Sequence, residues 1–211
     1  MDIVELKEDT RFGVLSWAER ILLSGGIIIS PTDTVYGILG DATNEMAIQK
    51  IFTVKVRPET KVLPIFVKDI AAARRLAYIS DAKAGFLEKV WPGPVTVVFD
   101  HKEKLPSSLT GGFTIGIRVP NNHFLQTLLG KLPFPLVQTS ANMTGKPPAQ
   151  NLEEIKRYFT GKEIEPDLII DGGIIKGQPS VVIDFTRDKP LVLRTGILSP
   201  IELDDLFKFV R

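Results

Sequence analysis

The sequence contains no cysteine, and only His101 and His123 represent histidine among its 211 residues. Without cysteine the chain has no disulfide bonds, no thiolate zinc site and no cysteine nucleophile. Two histidines are too few for a histidine-rich metal centre. The absence of cysteine suits a reducing compartment, and we therefore expect a cytoplasmic protein.

Neither sign of charge dominates, because 26 Lys and Arg residues stand against 25 Asp and Glu residues, for a formal net charge of +1. Overall charge therefore does not indicate a nucleic-acid or membrane-surface protein, and any anion site must come from local arrangement.

Long apolar runs are also missing. The most apolar early segment, Ile21 to Ile29, is interrupted by Ser24-Gly25-Gly26 and is far shorter than the roughly 20 residues of a membrane span. Met1 to Glu5 has no features of a targeting signal, so we expect no membrane association.

The composition is that of a globular domain. Hydrophobic residues make up 44% and charged residues 24%, which excludes disorder, collagen and coiled coil. Because a typical domain has about 150 residues, the length predicts a single domain over residues 1–211. A chain of this size buries about 70% of its unfolded surface, so a core can form without covalent staples.

Helical and strand patterns alternate along the chain. Val14 to Leu23 places its apolar side chains on one helical face, and Asn44 and Asn121 or Asn122 can cap two further helices. We predict roughly eight strands and six helices, with strands at 27–29, 62–67, 95–99, 113–119, 136–138, 168–170, 181–185 and 191–194. This alternation predicts an α/β fold with helices flanking an open mixed sheet. The strands crowd after Leu168, so we expect that part to be antiparallel, and Pro200 is expected to open a last helix through Val210.

Polar side chains follow several of the predicted strands. They are Thr32-Asp33-Thr34, Arg118, Ser140-Ala141-Asn142 and Arg194. Any one of these stretches alone is more often a turn or a helix cap. In open α/β sheets, however, ligands bind in the crevice beyond the strand ends, and the repetition predicts a pocket suited to anions.

A cluster of cations follows the helix that begins near Asn44. It consists of Lys50, Lys55, Arg57 and Lys61. Cations at a helix C-terminus are favourable for electrostatic reasons alone. The same residues could form a phosphate clamp, because Arg offers a bidentate fork and Lys a mobile charge. The spacing does not decide between these two interpretations.

Familiar catalytic signatures are missing from the sequence. It has no Walker phosphate loop, no dinucleotide-binding glycine motif and no nucleophile elbow. Ser140 with His123 as a base is disfavoured, because nothing local activates the hydroxyl. Asp167, Asp171 and Asp184 lie near strand ends but do not form a recognisable metal site. Any Mg²⁺ is expected to arrive on substrate phosphates rather than on protein side chains.

Seven short motifs occur in one order along residues 20–197. They are Pro31-Thr32-Asp33-Thr34-Val35-Tyr36-Gly37, Lys55-Val56-Arg57-Pro58, Trp91-Pro92-Gly93-Pro94-Val95-Thr96, Ile115-Gly116-Ile117-Arg118-Val119-Pro120, Ser140-Ala141-Asn142-x-x-Gly145, Ser180-x-Val182-Ile183-Asp184 and Leu193-Arg194-x-Gly196. Together they closely resemble the YrdC/Sua5 family of threonylcarbamoyl-AMP synthases (TsaC type). The length resembles the single-domain form, without the second domain of the longer Sua5 proteins.

The resemblance implies an open, twisted α/β sheet with a large, positively charged concave cleft. It also implies an enzyme that makes L-threonylcarbamoyladenylate and pyrophosphate from L-threonine, bicarbonate or CO₂, and ATP with Mg²⁺. The product would pass to tRNA threonylcarbamoyltransferase proteins for N6-threonylcarbamoyladenosine modification of tRNA, and direct binding of tRNA or double-stranded RNA is possible in such a family.

The resemblance also implies roles for nine residues. The family's Lys-x-Arg and Ser-x-Asn sets, which hold the nucleotide, match Lys55, Arg57, Ser140 and Asn142, of which Lys55 and Arg57 are the expected catalytic pair. Thr114 and Arg194 match positions that contact ATP or the adenylate, and Thr32, Arg118 and Ser180 match positions that hold threonine. Two positions depart from the family pattern: Lys68 stands where many longer members have histidine, and Val181 replaces a threonine, leaving Ser180 as the only hydroxyl there. Segments 102–112 and 145–150 are candidates for closing the cleft.

Two related alternatives remain. A YciO-like paralogue would share the fold but act in RNA binding or ribosome assembly, and the intact Ser140 and Asn142 favour the synthase instead. Hydrogenase maturation proteins use a similar domain on another carbamoyl donor, but they are long chains with zinc fingers, for which this sequence has neither the length nor the cysteines.

Overall fold

The computed structural model describes residues 1–56, 63–110, 112–187 and 189–199, together with residues 202 and 205. Most of the segment predicted as a last helix lies outside these residues. The described residues form one sheet of ten strands flanked by seven helices. The strands are β1 (Asp2–Glu5), β2 (Ile28–Ser30), β3 (Gly37–Asp41), β4 (Ile65–Phe66), β5 (Val95–Asp100), β6 (Thr114–Arg118), β7 (Leu136–Ser140), β8 (Leu168–Asp171), β9 (Val181–Asp184) and β10 (Leu191–Arg194). The helices are α1 (Arg11–Leu23), α2 (Glu45–Lys55), α3 (Ile70–Leu76), α4 (Asp81–Val90), α5 (Ser107–Thr110), α6 (His123–Lys131) and α7 (Leu152–Phe159).

The strands lie in the spatial order β1-β8-β2-β3-β7-β4-β6-β5-β9-β10. Four neighbouring pairs are parallel and five are antiparallel, so the sheet is mixed as predicted. The antiparallel arrangement expected after Leu168 holds only for β9 and β10. It is wrong for β8, which pairs in parallel with both β1 and β2.

Side-chain caps fix the starts of most helices. Asn44 accepts hydrogen bonds from the backbone amides of Met46 and Ala47, at 2.9 and 3.3 Å. Of the two candidate caps before α6, it is Asn122 that accepts from the Leu125 amide, at 3.0 Å. Each cap satisfies amides that have no partner inside the helix, and is worth about 1 kcal/mol. None of the helices in the described ranges is long and apolar enough to span a membrane.

Alternation along the strands divides the side chains between two cores. Ile115 and Ile117 of β6 point to the first sheet face, which α2, α3, α4 and α7 cover. The second face is packed by α1 and α6, but only across β1, β8, β2, β3, β4 and the start of β7. Each fully buried Ile or Leu contributes roughly 1.5–3 kcal/mol by leaving water. Helix packing therefore accounts for the whole first face and only half of the second.

The remaining half of the second face is formed by β6, β5, β9, β10 and the end of β7. No helix in the described part of the chain packs on it, and we call this region the open sheet face. Its side chains alternate with those of the first core, as Thr96 and Val98 do with Val95 and Val97. A sheet face without a helix leaves a concave surface for ligands.

Candidate active site

The open sheet face holds a cavity of about 390 Å³. Seven separate stretches of chain contribute to its lining: Thr34, Val35, Pro64, Thr96, Val98, Thr114, Gly116, Arg118, Gln138, Thr139, Ser140, Pro179, Ser180, Val182, Leu193 and Arg194. Five of the nine residues expected from the family resemblance are on this wall, namely Thr114, Arg118, Ser140, Ser180 and Arg194. The fold thus brings together residues up to about 80 positions apart in sequence.

The floor of the cleft is flat because of Gly116 in the middle of β6. A Cβ at this position would lie 3.4 Å from Thr96 Cγ2 and 3.5 Å from Pro64 Cβ, within ordinary contact distance. A larger side chain at position 116 would extend into the cleft. Gly116 therefore leaves space for a ligand rather than satisfying a backbone requirement.

The turn from Thr32 to Val35 forms one wall. The Thr32 hydroxyl accepts from the amides of Thr34 and Val35, at 3.0 and 3.2 Å, and donates to the Val35 carbonyl at 2.6 Å. Thr32 is buried, so its hydroxyl holds the turn together. Thr34 of the same polar stretch, to which the sequence analysis gave no role of its own, lies on the cavity wall instead.

Arg118 is the most constrained cation of the cleft. Its Nε donates to the Gly93 carbonyl at 2.9 Å, its Nη1 to the Thr34 hydroxyl at 3.1 Å, and its Nη2 to Asp33 Oδ1 at 2.6 Å. Burial lowers the pKa of Arg118, and the neighbouring Asp33 carboxylate opposes that shift. An arginine stays protonated at any physiological pH, so the cleft contains a fixed positive charge.

Arg194 supplies a second guanidinium, which Ser180 holds in place. Arg194 Nε donates to the Ser180 carbonyl at 2.9 Å, and Nη2 contacts the Ser180 hydroxyl at 3.1 Å. That hydroxyl also shares a 2.8 Å hydrogen bond with Thr96 Oγ1. Burial lowers the pKa of Arg194, and so does the nearby charge of Arg118. Among the described residues, Asp33 is the one carboxylate that pairs with either arginine, which leaves the cleft net positive.

Lys55, Ser140 and Asn142 meet at the end of β7. The Lys55 ammonium is buried and donates to the Ser140 carbonyl, to the Asn142 carbonyl at 2.9 Å and to Asn142 Oδ1 at 3.0 Å. Ser140 Oγ donates to the same Oδ1 at 2.6 Å. Lys55 thus lies behind the cleft wall and supports the Ser140–Asn142 backbone. The phosphate-clamp interpretation would place Lys55 on an exposed surface, so its buried position differs from that interpretation.

The rest of the predicted cation cluster does not gather in the described structure. Lys50 Nζ donates to the Gly25 carbonyl at 3.4 Å and does not line the cleft. Arg57 and Lys61 lie outside the described residues, as does residue 111 in the predicted closing segment 102–112. Lys68, at the position where the family pattern often has histidine, is exposed and lines a separate cavity.

The three aspartates noted near strand ends accept hydrogen bonds from backbone amides, Asp171 and Asp184 within local turns and Asp167 from the residue that precedes β2. Asp167 accepts from the Ile27 amide at 2.7 Å, Asp171 from the Gly173 amide at 2.9 Å, and Asp184 from the Thr186 amide at 2.9 Å. Within the described ranges, no three His, Asp or Glu side chains come together in a way that could hold a metal ion. The residues therefore do not fit a resident metal, whereas a metal that enters on substrate phosphates would need no such set.

Comparison with known proteins places the chain in a family. The family model named for Sua5, YciO and YrdC, with the description "Telomere recombination", matches residues 20–196. The chain belongs to the Sua5/YciO/YrdC family. A putative threonylcarbamoyl-AMP synthase of Methanocaldococcus jannaschii is 35% identical over 197 residues, which cover 93% of this chain and 92% of the relative. The threonylcarbamoyl-AMP synthase of Pyrococcus abyssi is 32% identical over 212 residues, covering 99% of this chain and 62% of that longer protein.

Solved structures of the family confirm the predicted α/β fold. P. abyssi Sua5 complexed with L-threonine superposes with a TM-score of 0.92 at 30% identity, covering 100% of this chain and 62% of Sua5. Escherichia coli YciO superposes with a TM-score of 0.83 at 27% identity, covering 94% of this chain and 96% of YciO. The fold is therefore shared by both branches that the sequence analysis considered.

Proposed function

We propose that the protein is an L-threonylcarbamoyladenylate synthase, which makes threonylcarbamoyl-AMP and pyrophosphate from L-threonine, bicarbonate or CO₂, and ATP. Two relatives at 32–35% identity bear the name of this synthase, and one of them matches this chain over nearly its whole length. A family member with the same fold has been solved with L-threonine. The adenylate would serve tRNA threonylcarbamoyltransferase proteins in the cytoplasm, where tRNA is modified.

The observation that carries the proposal is the pair of guanidiniums, Arg118 and Arg194, on one open sheet face beside Ser140 and Ser180. In the proposed reaction a carbamate anion must approach a triphosphate. Such a meeting is strongly repulsive unless fixed cations offset the charge, and buried cations do so better than exposed ones. A net positive, half-enclosed cleft meets this requirement.

The amino acid is proposed to bind at the end of the cleft where Arg118 lies. Arg118 would pair with the threonine carboxylate, and Ser180 would contact its hydroxyl or amine. The Thr32 hydroxyl is hydrogen-bonded within its own turn. Thr32 would therefore contribute indirectly, by holding the turn that places Thr34 on the cleft wall. Threonine carries one more methyl group than serine, and the nearby Val35 side chain offers apolar contact on the same wall.

The nucleotide is proposed to bind along Thr114, Ser140, Asn142 and Arg194. Lys55 would fix the Ser140–Asn142 backbone and bring positive charge close to the phosphates, and Arg57 keeps its predicted role as a phosphate ligand. Mg²⁺ would enter with ATP as part of the substrate, bound to phosphate oxygens. Bound in this way, it would neutralise charge on the leaving pyrophosphate.

The chemistry needs no covalent bond to the protein. The threonine amine and bicarbonate give a carbamate and release water, and a carbamate oxygen then attacks the α-phosphorus of ATP. The bond from that phosphorus to the oxygen bridging to the β-phosphate breaks, and pyrophosphate leaves with the electron pair. In a phosphoryl transfer of this kind the protein acts by positioning and by electrostatic stabilisation.

A pyrophosphate-release assay tests the proposal. With Mg²⁺ and ATP, release should require threonine and bicarbonate together, and a threonylcarbamoyl adenylate should accumulate. Serine, or threonine without bicarbonate, should give little release. A YciO-like role would instead show RNA binding in a gel shift without threonine-dependent ATP consumption, and that outcome would reject the synthase.

A further inference from the structure

The segment that connects β8 to β9, residues 172–180, crosses over the Thr32–Val35 turn and ends at Ser180. We call it the crossing segment. It begins at the end of β8 and delivers Ser180 to the cleft wall, where this residue holds Arg194. Ile174 in its middle is 69% exposed, so the segment lies on the surface. Besides Ile175, which packs against the core, a few specific contacts must therefore set its position.

The first contact is the hydroxyl of Tyr36. This side chain is fully buried beneath the segment. Its hydroxyl donates to the Gly173 carbonyl at 2.7 Å and accepts from the Gly172 amide at 2.9 Å. One hydroxyl thus satisfies two backbone groups at the start of the segment. Burial raises the pKa of Tyr36 to about 12, which keeps the hydroxyl protonated and able to donate.

Close backbone packing adds further contacts. A Cβ on Gly172 would lie 2.8 Å from the Pro31 ring, and a Cβ on Gly177 would overlap with the Thr34 carbonyl oxygen. The Ile175 amide donates to the Gln150 carbonyl at 2.8 Å. At the far end, a Cβ on Gly196 would overlap with the Ser180 backbone. The glycines let the segment lie directly on the turn, and side chains there would lift it away.

We infer that Tyr36 is a positioning residue, whose hydroxyl anchors the crossing segment on the Thr32–Val35 turn and thereby sets Ser180 for the amino-acid substrate. The inference rests on the proposed function for the identity of that substrate. Tyr36 faces away from the cavity and does not line it, so it acts through Gly172, Gly173 and the residues that follow. The nucleotide wall at Ser140 and Thr114 belongs to other strands and does not depend on this anchor.

The test compares Tyr36→Phe with the wild type and with Tyr78→Phe, a control at an exposed tyrosine remote from the cleft. We expect Tyr36→Phe to raise the KM for threonine by about tenfold, the scale of one lost hydrogen bond between well-placed groups. The KM for ATP should rise by a smaller factor, because Ser180 also holds Arg194. Gly177→Ala should likewise raise the KM for threonine more than the KM for ATP, because its methyl group displaces the segment from Thr34. Tyr78→Phe should change neither constant.

Thermal unfolding of each variant separates positioning from general destabilisation. The inference is overturned if Tyr36→Phe leaves the threonine KM unchanged, or if it raises the KM for ATP as much as the KM for threonine. If the wild type shows no threonine-dependent turnover, the proposed function fails, and calorimetric threonine binding decides the inference instead. Weaker binding by Tyr36→Phe than by the wild type supports it, and equal or absent binding overturns it.

Discussion

Arg118 and Asp33 form a buried ion pair at the boundary between the open sheet face and the helix-covered half, with 2.6 Å between Nη2 and Oδ1. The second carboxylate oxygen of Asp33 accepts from the Asn121 amide at 3.1 Å. One carboxylate therefore joins the Thr32–Val35 turn, the end of β6 and the chain entering α6. The pair fixes the Arg118 guanidinium in the orientation that the cleft requires.

Asp33→Asn should be strongly destabilising. The Arg118 side chain is only 2% exposed, and removing one partner of a buried pair leaves an uncompensated charge at a cost of about 3–5 kcal/mol. Urea unfolding would measure the loss. The control is Asp81→Asn, which breaks an ion pair of the same 2.6 Å length to Arg74 at the surface, where such pairs contribute little. Equal losses in the two variants would contradict the structural role given to Asp33.

Lys55→Ala should lower threonine-dependent pyrophosphate release by about 10²-fold or more, the scale of losing one preorganised charged donor. Without the ammonium, the Ser140 and Asn142 carbonyls and the Asn142 side chain lose a shared donor. Lys50→Ala is the matched control on the same helix, since Lys50 contacts only the Gly25 carbonyl in the described structure. Near-normal turnover of Lys55→Ala would reject the proposed role of this lysine.

Gly116→Val tests the cleft without disturbing the core. Valine is favourable in a strand, and the nearest atoms to a new Cβ are 3.4 Å away, so stability should not fall. The side chain would occupy the floor, and activity should drop by about 10²-fold or more because bound substrates would shift by an ångström or more. The companion variant Gly85→Ala adds a methyl group in open space on α4 and should stabilise the fold by about 0.5–1 kcal/mol with activity unchanged. Full activity of Gly116→Val would show that the substrates bind elsewhere.

The buried Tyr36 predicts a pH dependence of stability. Its pKa in the folded protein is raised to about 12, above the value of about 10 in an unfolded chain. The unfolded state therefore loses its proton first, and the free energy of unfolding should fall between about pH 10 and about pH 12. Tyr36→Phe has no such proton, so the stability advantage of the wild type over this variant should shrink across that window. Urea unfolding at several alkaline pH values measures it, and a constant difference would contradict the assignment.

Much of the fold could be predicted because strong local signals agreed with the tertiary structure. The helix over Leu152–Phe159 and the strand starting at Val95 follow directly from periodicity and turn residues. Two strands were not predicted. β1 is an exposed edge strand with acidic residues at both ends, and β3 contains two glycines, so neither has the residue pattern typical of a strand. Both form because a neighbouring strand supplies their hydrogen bonds.

The sequence predicted which residues belong to the site better than it predicted how those residues are arranged. Arg118 and Arg194 end their strands, Ser180 directly precedes β9, and all three line the cleft. The buried position of Lys55 could not be predicted, because it depends on a loop about 85 residues later that folds over the end of α2. Thr96 could have been found, since it alternates with the core residues Val95 and Val97 and must face the opposite side.

The central claim is that one positively charged half of the sheet binds both ATP and threonine. A crystal structure with Mg²⁺, a non-hydrolysable ATP analogue and L-threonine tests it most directly. The account predicts both ligands on the open sheet face, with the threonine carboxylate on Arg118 and the phosphates along Ser140 and Arg194. Finding either ligand outside this cleft, or the threonine carboxylate turned away from Arg118 and Ser180, would contradict it.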